Sequence, residues 1–167
     1  GYTVIDRTAI DRKDIHHENI WGVADEDLFD LALREIDVRA AAGRKVFAHV
    51  MTTSNHRPFT YPPGRIDIPS GSGREGAVKY SDFAIGRFVE MARARPWFAN
   101  TVFVFVADHS SIARGRSDLP IERYHIPMVM YAPGKIAPQR IAALASQIDV
   151  APTLLGWLNL PYVSEFF

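Results

Sequence analysis

The chain has 167 residues, 47% of them hydrophobic, with nineteen acidic and nineteen basic side chains and no cysteine. That length and apolar content define one domain, or a large piece of one, with a real core, and they exclude disorder. Without cysteine there are no disulfides and no thiolate metal sites, a composition that fits either cytosol or periplasm, and no run reaches the roughly 18 apolar residues needed to span a bilayer.

The zero net charge hides an asymmetry. Residues 1–42 hold ten acids and five bases, which leaves nine acids and fourteen bases for the remainder. Fifteen of the nineteen cations are arginine, whose planar fork suits phosphate, sulfate or carboxylate, although solvated surface arginines are an equally good account. The chain opens on Gly1 rather than Met, without a charged-then-apolar leader, which suggests that something upstream was removed.

Residues 1–24 are mixed, with a short strand possible over Tyr2 to Ile5. The local group His16, His17 and Glu18 lacks the i, i+4 spacing of ligands on a helix face and reads as solvated. Asp25 is placed to cap a helix reaching about Ala42, with Leu28, Leu31, Ala32 and Ile36 on one face and Gly43 as its stop. Lys45 to Met51 reads as a strand that ends in Thr52, Thr53, Ser54, Asn55 and His56. The Pro- and Gly-rich segment Arg57 to Gly73 must be a long loop, of the kind that is usually functional or mobile. Glu75 to Arg95 has helical spacing at Ala77, Tyr80, Phe83, Ala84, Phe88 and Met91, and Pro96 ends it.

Thr101 to Ala107 contains the run Val-Phe-Val-Phe-Val-Ala, which reads as a strand covered on both faces, as in the centre of a parallel sheet. Strand, loop, helix and strand over residues 45–107 then predict a right-handed crossover, which brings Asn55 and His56 near Asp108 and His109. Ser110 to His125 is polar. Ile126 to Ala132 is a further strand, closed by Pro133 and Gly134. Asp149 is placed to cap a last helix, with Pro152 in its first turn and Leu154, Leu155, Trp157 and Leu158 as its buried face.

Ligands in open α/β sheets sit at the carboxyl ends of strands. There, Asp108 and His109 offer an oxygen and a nitrogen ligand to a divalent cation. Two ligands do not complete a site, since Zn²⁺ takes about four and Mg²⁺ about six. Asn55 and His56 are placed to hydrogen-bond an anionic oxygen, or equally to form a turn before Pro58. His125 is a ligand candidate that reads better as an edge residue. Hydroxyls at Thr52, Thr53, Ser54, Ser110 and Ser111 lie in neither a Gly-x-Ser-x-Gly elbow nor a Ser-x-x-Lys arrangement. No phosphate-cradling glycine motif occurs, and interleaved basic and aromatic residues for nucleic acid are lacking.

Five pieces carry a family resemblance: Trp21 to Phe29 (Trp-Gly-Val-Ala-Asp-Glu-Asp-Leu-Phe), Met51 to Phe59 (Met-Thr-Thr-Ser-Asn-His-Arg-Pro-Phe), Ala107 to His109, Tyr124 to Pro127 (Tyr-His-Ile-Pro), and Ile148 to Leu155 (Ile-Asp-Val-Ala-Pro-Thr-Leu-Leu). In this order they resemble the sulfatase-like domain of the lipoteichoic acid synthase and phosphoglycerol transferase family, within the alkaline phosphatase superfamily. The resemblance implies a three-layer α/β/α sandwich, present as a partial domain, with residues 1–167 its carboxyl-terminal part. It also implies metal-dependent transfer of a phosphoglycerol group through a covalent threonine intermediate.

Matched residue by residue, Asp108 and His109 fall on metal ligands and His56 on a histidine that contacts the substrate phosphate; Arg57, Arg114 and Arg116 are our addition to that field. Mn²⁺ is the first choice of metal, with Mg²⁺ or Zn²⁺ the alternatives. Thr52 and Thr53 do not match the family's nucleophile, which lies upstream of this chain, so no catalytic nucleophile is expected here. The partners implied are an anionic phosphoglycerol or sulfate ester and the remainder of the same catalytic domain. Nucleic acid is not among them, and a membrane enters only through the parent's anchor, at the periplasmic or extracellular face. The rival expectations are a non-catalytic fragment or binding module that keeps the fold and, within the enzyme class, a sulfatase.

Overall fold

The structure, a computed structural model, describes residues 2–110 and 124–164. The chain divides into two compact units, Gly1–Lys135 and Ile136–Phe167.

The first unit is built on two helices, α1 (Asp25–Ala41) and α2 (Arg74–Arg93). Helix α1 ends as its sequence predicts. Gly43 has φ +70°, its N–H reaches the Ala40 carbonyl at 2.9 Å, and the Arg44 N–H reaches Arg39 at 3.0 Å, which is the double closure that a left-handed residue after a helix allows. The apolar stripe differs from the expected one. Phe29 and Leu33 face α2, while Leu31 turns into a separate cluster with Ile10 and Val23. Helix α1 is therefore buried on two sides, and Leu28 and Ile36 are only half-buried.

Phe29 and Leu33 pack with Ala84, Phe88, Ala92 and Phe103 in the main cluster. The rings of Phe29 and Phe88 stack at 4.7 Å and Phe88 meets Phe103 edge-on at 6.0 Å, geometries in which aromatic pairs gain beyond simple burial. Small residues at Ala84 and Ala92 let α1 and the sheet approach α2 closely.

The sheet has two strands, β1 (Phe103–Val106) and β2 (Met128–Tyr131), paired antiparallel with Phe103 opposite Tyr131 and Val106 opposite Met128. Both expected strands are thus present but shorter, and β1 is not covered on both faces: Phe103 is buried and Val106 is 43% exposed. The expected strand over Lys45 to Met51 is not formed. A strand exists only through its ladder, and the ladder partner of β1 among the described residues is β2. The segment keeps one anchor, Val50 against the main cluster, and leaves Phe47 and Met51 exposed.

The long loop over residues 57–73 folds onto α2. Tyr61 is buried and stacks on Tyr80 at 4.8 Å, and its hydroxyl donates to the carbonyls of Ile68 and Pro69 at 3.1 and 3.2 Å. Gly76 makes this possible, because a Cβ there would collide with the Tyr61 hydroxyl and with Ile68.

In the second unit α3 (Val150–Trp157) follows the single turn Gln147–Asp149. The cap differs from expectation. Ser146 and Asp149 form a reciprocal capping box around the turn, and the Asp149 carboxylate receives the Ser146 N–H at 2.7 Å, which satisfies donors that a helix start leaves unpaired. The expected buried face of α3 is also absent: Leu154 and Leu155 are half-buried, whereas Trp157 and Leu158 are exposed. Within its unit, the described residues offer α3 one neighbouring element, the turn Gln147–Asp149.

Candidate functional site

Asp108 and His109 follow β1 directly. The Asp108 carboxylate takes the His109 N–H on Oδ1 at 2.8 Å, and its Oδ2 lies 3.4 Å from His109 Nε2. His109 Nδ1 donates to the Ser110 carbonyl at 2.7 Å, which fixes the tautomer and leaves the Nε2 lone pair as the ligating one. Two donors each about 2.1 Å from a tetrahedral ion stand about 3.4 Å apart, so the pair fits a divalent cation held between Oδ2 and Nε2. Both side chains are exposed, and among the described residues no group of three or more His, Cys, Asp or Glu gathers into a metal site.

His56 lies in a tight turn. Its N–H closes on the Thr53 carbonyl at 2.9 Å, the Phe59 N–H returns to the His56 carbonyl at 2.8 Å, and its Nδ1 donates to the Arg57 carbonyl at 3.0 Å. The imidazole lies against the indole of Trp21 with centroids 3.9 Å apart. Phe59 has φ +63°, a left-handed conformation that bulky residues adopt only where the surroundings impose it. The guanidinium of Arg74 lies 5.3 Å above the Phe59 ring, within cation–π range. Asn55 and Arg57 are exposed on the same turn.

Beneath this turn sits a cluster of buried acids, where the sequence predicts a helix cap at Asp25 alone. Asp25, Glu26 and Asp27 are each at most 3% exposed. Asp25 is the first residue of α1, and its side chain leaves its own helix. Oδ1 accepts the N–H groups of Thr53 and Ser54 at 3.1 and 2.9 Å, Oδ2 accepts the Ser81 hydroxyl at 3.0 Å, and its own N–H donates to Ser54 Oγ at 3.1 Å. Asp27 binds the N–H of His16 at 2.9 Å and its ring Nδ1 at 2.5 Å, so His16 is not simply solvated. Glu26 pairs with Arg65 at 2.9 Å. A run of three acids at a helix start was the available signal, since such a start favours negative charge; that their oxygens serve four separate segments could not be read from the run. The Tyr80 hydroxyl lies toward Glu26 without a hydrogen bond of good geometry, and burial, followed by that carboxylate, holds its pKa above the usual phenol value.

His125 is exposed ahead of β2. Ser111, Arg114 and Arg116 lie outside the described residues.

Solved structures share this architecture. A protein of the alkaline phosphatase superfamily from Vibrio parahaemolyticus superposes with a TM-score of 0.84 at 32% identity, over 92% of this chain and 38% of that one. The lipoteichoic acid synthase LtaP from Listeria monocytogenes gives 0.75 at 24% identity, over 93% and 43%. The fold is the α/β fold of the alkaline phosphatase superfamily, in part. The profile of the Sulfatase family matches residues 2–160, and the chain belongs to that family. Among curated relatives it is similar to Phosphoglycerol transferase I of Xanthomonas axonopodis pv. citri, 30% identical over 150 residues, which are 86% of this chain and 21% of the relative. It is also similar to Phosphoglycerol transferase I of Escherichia coli O139:H28, 28% identical over 102 residues. The chain thus spans about a fifth of the length of the first of these relatives.

Proposed function

We propose that residues 1–167 are the carboxyl-terminal part of a single sulfatase-like catalytic domain, working in metal-dependent phosphoglycerol transfer. The observation that carries this is the Asp108–His109 pair, two ligand atoms 3.4 Å apart on a tautomer fixed by a backbone carbonyl, in a chain similar to phosphoglycerol transferases. Mn²⁺ is the ion proposed, with Mg²⁺ and Zn²⁺ the alternatives. Bound there, the cation would lower the pKa of an attacking hydroxyl and offset charge on the transferring phosphoryl group.

His56 is the donor to a nonbridging phosphate oxygen. With Nδ1 committed to the Arg57 carbonyl, Nε2 is the atom that meets the substrate, and it donates when the ring is protonated. Asn55 and Arg57 supply further polar contacts to the same anion. The nucleophile is a threonine on the remainder of the domain, so this chain binds and orients without attacking. Two features support a cover for this piece: Phe47 and Met51 stand exposed on a segment patterned as a strand, and Met128 and Val129 on β2. The reaction belongs to the periplasmic or extracellular face of the membrane, with attachment through the parent's anchor; none of the described helices is long and apolar enough to cross a membrane.

Assay of the full-length parent on a glycerophospholipid and on an aryl sulfate tests the proposal. Turnover of the lipid with Mn²⁺, lost in Asp108→Ala, is the expected result, and turnover of the sulfate alone replaces transferase with sulfatase. The isolated chain is expected to turn over neither, and metal-dependent activity that Asp108→Ala abolishes in it would overturn the fragment assignment.

A further inference from the structure

Asp25 does more than start a helix. A carboxylate removed from water costs several kcal/mol unless charge-assisted hydrogen bonds replace its hydration. All the donors that do so here come from outside α1: the N–H groups of Thr53 and Ser54 on the His56 turn and the hydroxyl of Ser81 on α2. The return bond from the Asp25 N–H to Ser54 Oγ uses one of the donors that the first turn of α1 leaves unpaired. Three hydrogen bonds therefore tie Asp25 to the two residues that open the turn, a fourth from Ser81 ties the same carboxylate to α2, and the His56 N–H closes the turn on Thr53. The second support comes from the same stretch of chain. Trp21 lies in a short loop closed by the Glu18–Val23 bridge and the Asn19 N–H to Gly22 carbonyl bond, immediately before α1, and its indole backs the imidazole at 3.9 Å.

We infer that Asp25 is a positioning residue for His56: its buried carboxylate holds the Thr53–His56 turn, and the Trp21 indole lies against one side of the ring. This rests on the reading of His56 as a phosphate contact. A residue that only stabilised the fold would, when lost, lower the amount of active protein and leave KM unchanged. A residue that aims His56 changes KM, because a displacement of about 1 Å at a binding group costs up to about a hundredfold.

The test uses the full-length parent with nitrogen-labelled histidine, the His56 resonances being assigned by their loss in His56→Gln, and glycerol 1-phosphate as the probe. Asp25→Ala is expected to move the His56 ring resonances and to raise KM for the phosphoglycerol substrate about tenfold or more. Asp25→Asn is expected to restore most of both, since its amide oxygen still accepts the two N–H groups while the Ser81 hydroxyl turns to accept the amide N–H. Ser54→Ala, which removes one bond of the four, is expected to give a smaller change of the same kind, and it decides the matter if Asp25→Ala does not fold. Unchanged His56 resonances and KM in folded Asp25→Ala, or in Ser54→Ala if only that folds, would overturn the proposal. If glycerol 1-phosphate fails to move His56 in the unaltered protein, the phosphate role of His56 falls. A shift of His56 in Asp25→Ala would still support its positioning.

Discussion

The two segments that carry the candidate site residues are held in different ways. The His56 turn is fixed by the buried Asp25 carboxylate, which Ser81 of α2 holds in turn, and Phe59 in the same turn has a positive φ. The Asp108–His109 pair is exposed, and its described contacts include the Asp108 carboxylate on the His109 N–H and the His109 Nδ1 on the adjacent Ser110 carbonyl. On the function proposed above, a group that presents one donor to an anion benefits from such rigidity, whereas two adjacent candidate ligands need the right tautomer and spacing.

The sharpest way to break this contrast is Asp108→Ala. In the full-length parent it is expected to lower activity by about a hundredfold or more, the scale of losing several kcal/mol of charge stabilisation, with a smaller change in melting temperature than Asp25→Ala gives, because the side chain is exposed. A clear fall in melting temperature would show that the edge is structural. Asp25→Ala should do the reverse at the level of stability, lowering it by about 2–5 kcal/mol through three stranded donors, measured by denaturant unfolding. Gly76→Ala sharpens the buried side further, at about 1–3 kcal/mol, because the added methyl meets Tyr61 and Ile68.

Tyr80 adds a pH dependence. Its folded pKa is raised above 10.0, so the unfolded chain releases this proton first. Stability is fully present below about pH 10 and falls as pH rises beyond it toward the folded value. Tyr80→Phe should remove that alkaline slope and change neutral-pH stability by less than about 1 kcal/mol, since its hydroxyl has no good partner to lose. The smallest effect is at Asp67, whose pKa the Lys79 hydrogen bond and charge lower. The contribution of that exposed pair is present above the ordinary carboxylate value and disappears as pH falls through the lowered one. Lys79→Ala should leave thermal unfolding at neutral pH unchanged, and a measurable shift would mean that the surface tie matters.

Both long helices were legible in the sequence because their punctuation is local: Gly43 closes one and Pro96 follows the other. β1 was legible as a strand, but not its surroundings, since coverage and pairing depend on what lies alongside. The same limit explains Lys45 to Met51, a strand pattern without a ladder among the described residues. The ligand types at Asp108 and His109 could be read from their order after an apolar run. The role of Asp25 could not, because a carboxylate at a helix start looks like a cap wherever its oxygens point. The α3 cap shows the converse, with Asp149 caught in a box that begins three residues earlier at Ser146.

The collision that a Cβ on Gly76 would make with Tyr61 has a consequence for how this chain can vary. Positions 61 and 76 compete for one volume, so a side chain at 76 is better tolerated once the hydroxyl at 61 is gone. The expected order of change is Tyr61→Phe before Gly76→Ala, and the double variant should be less destabilised than the sum of the two single ones.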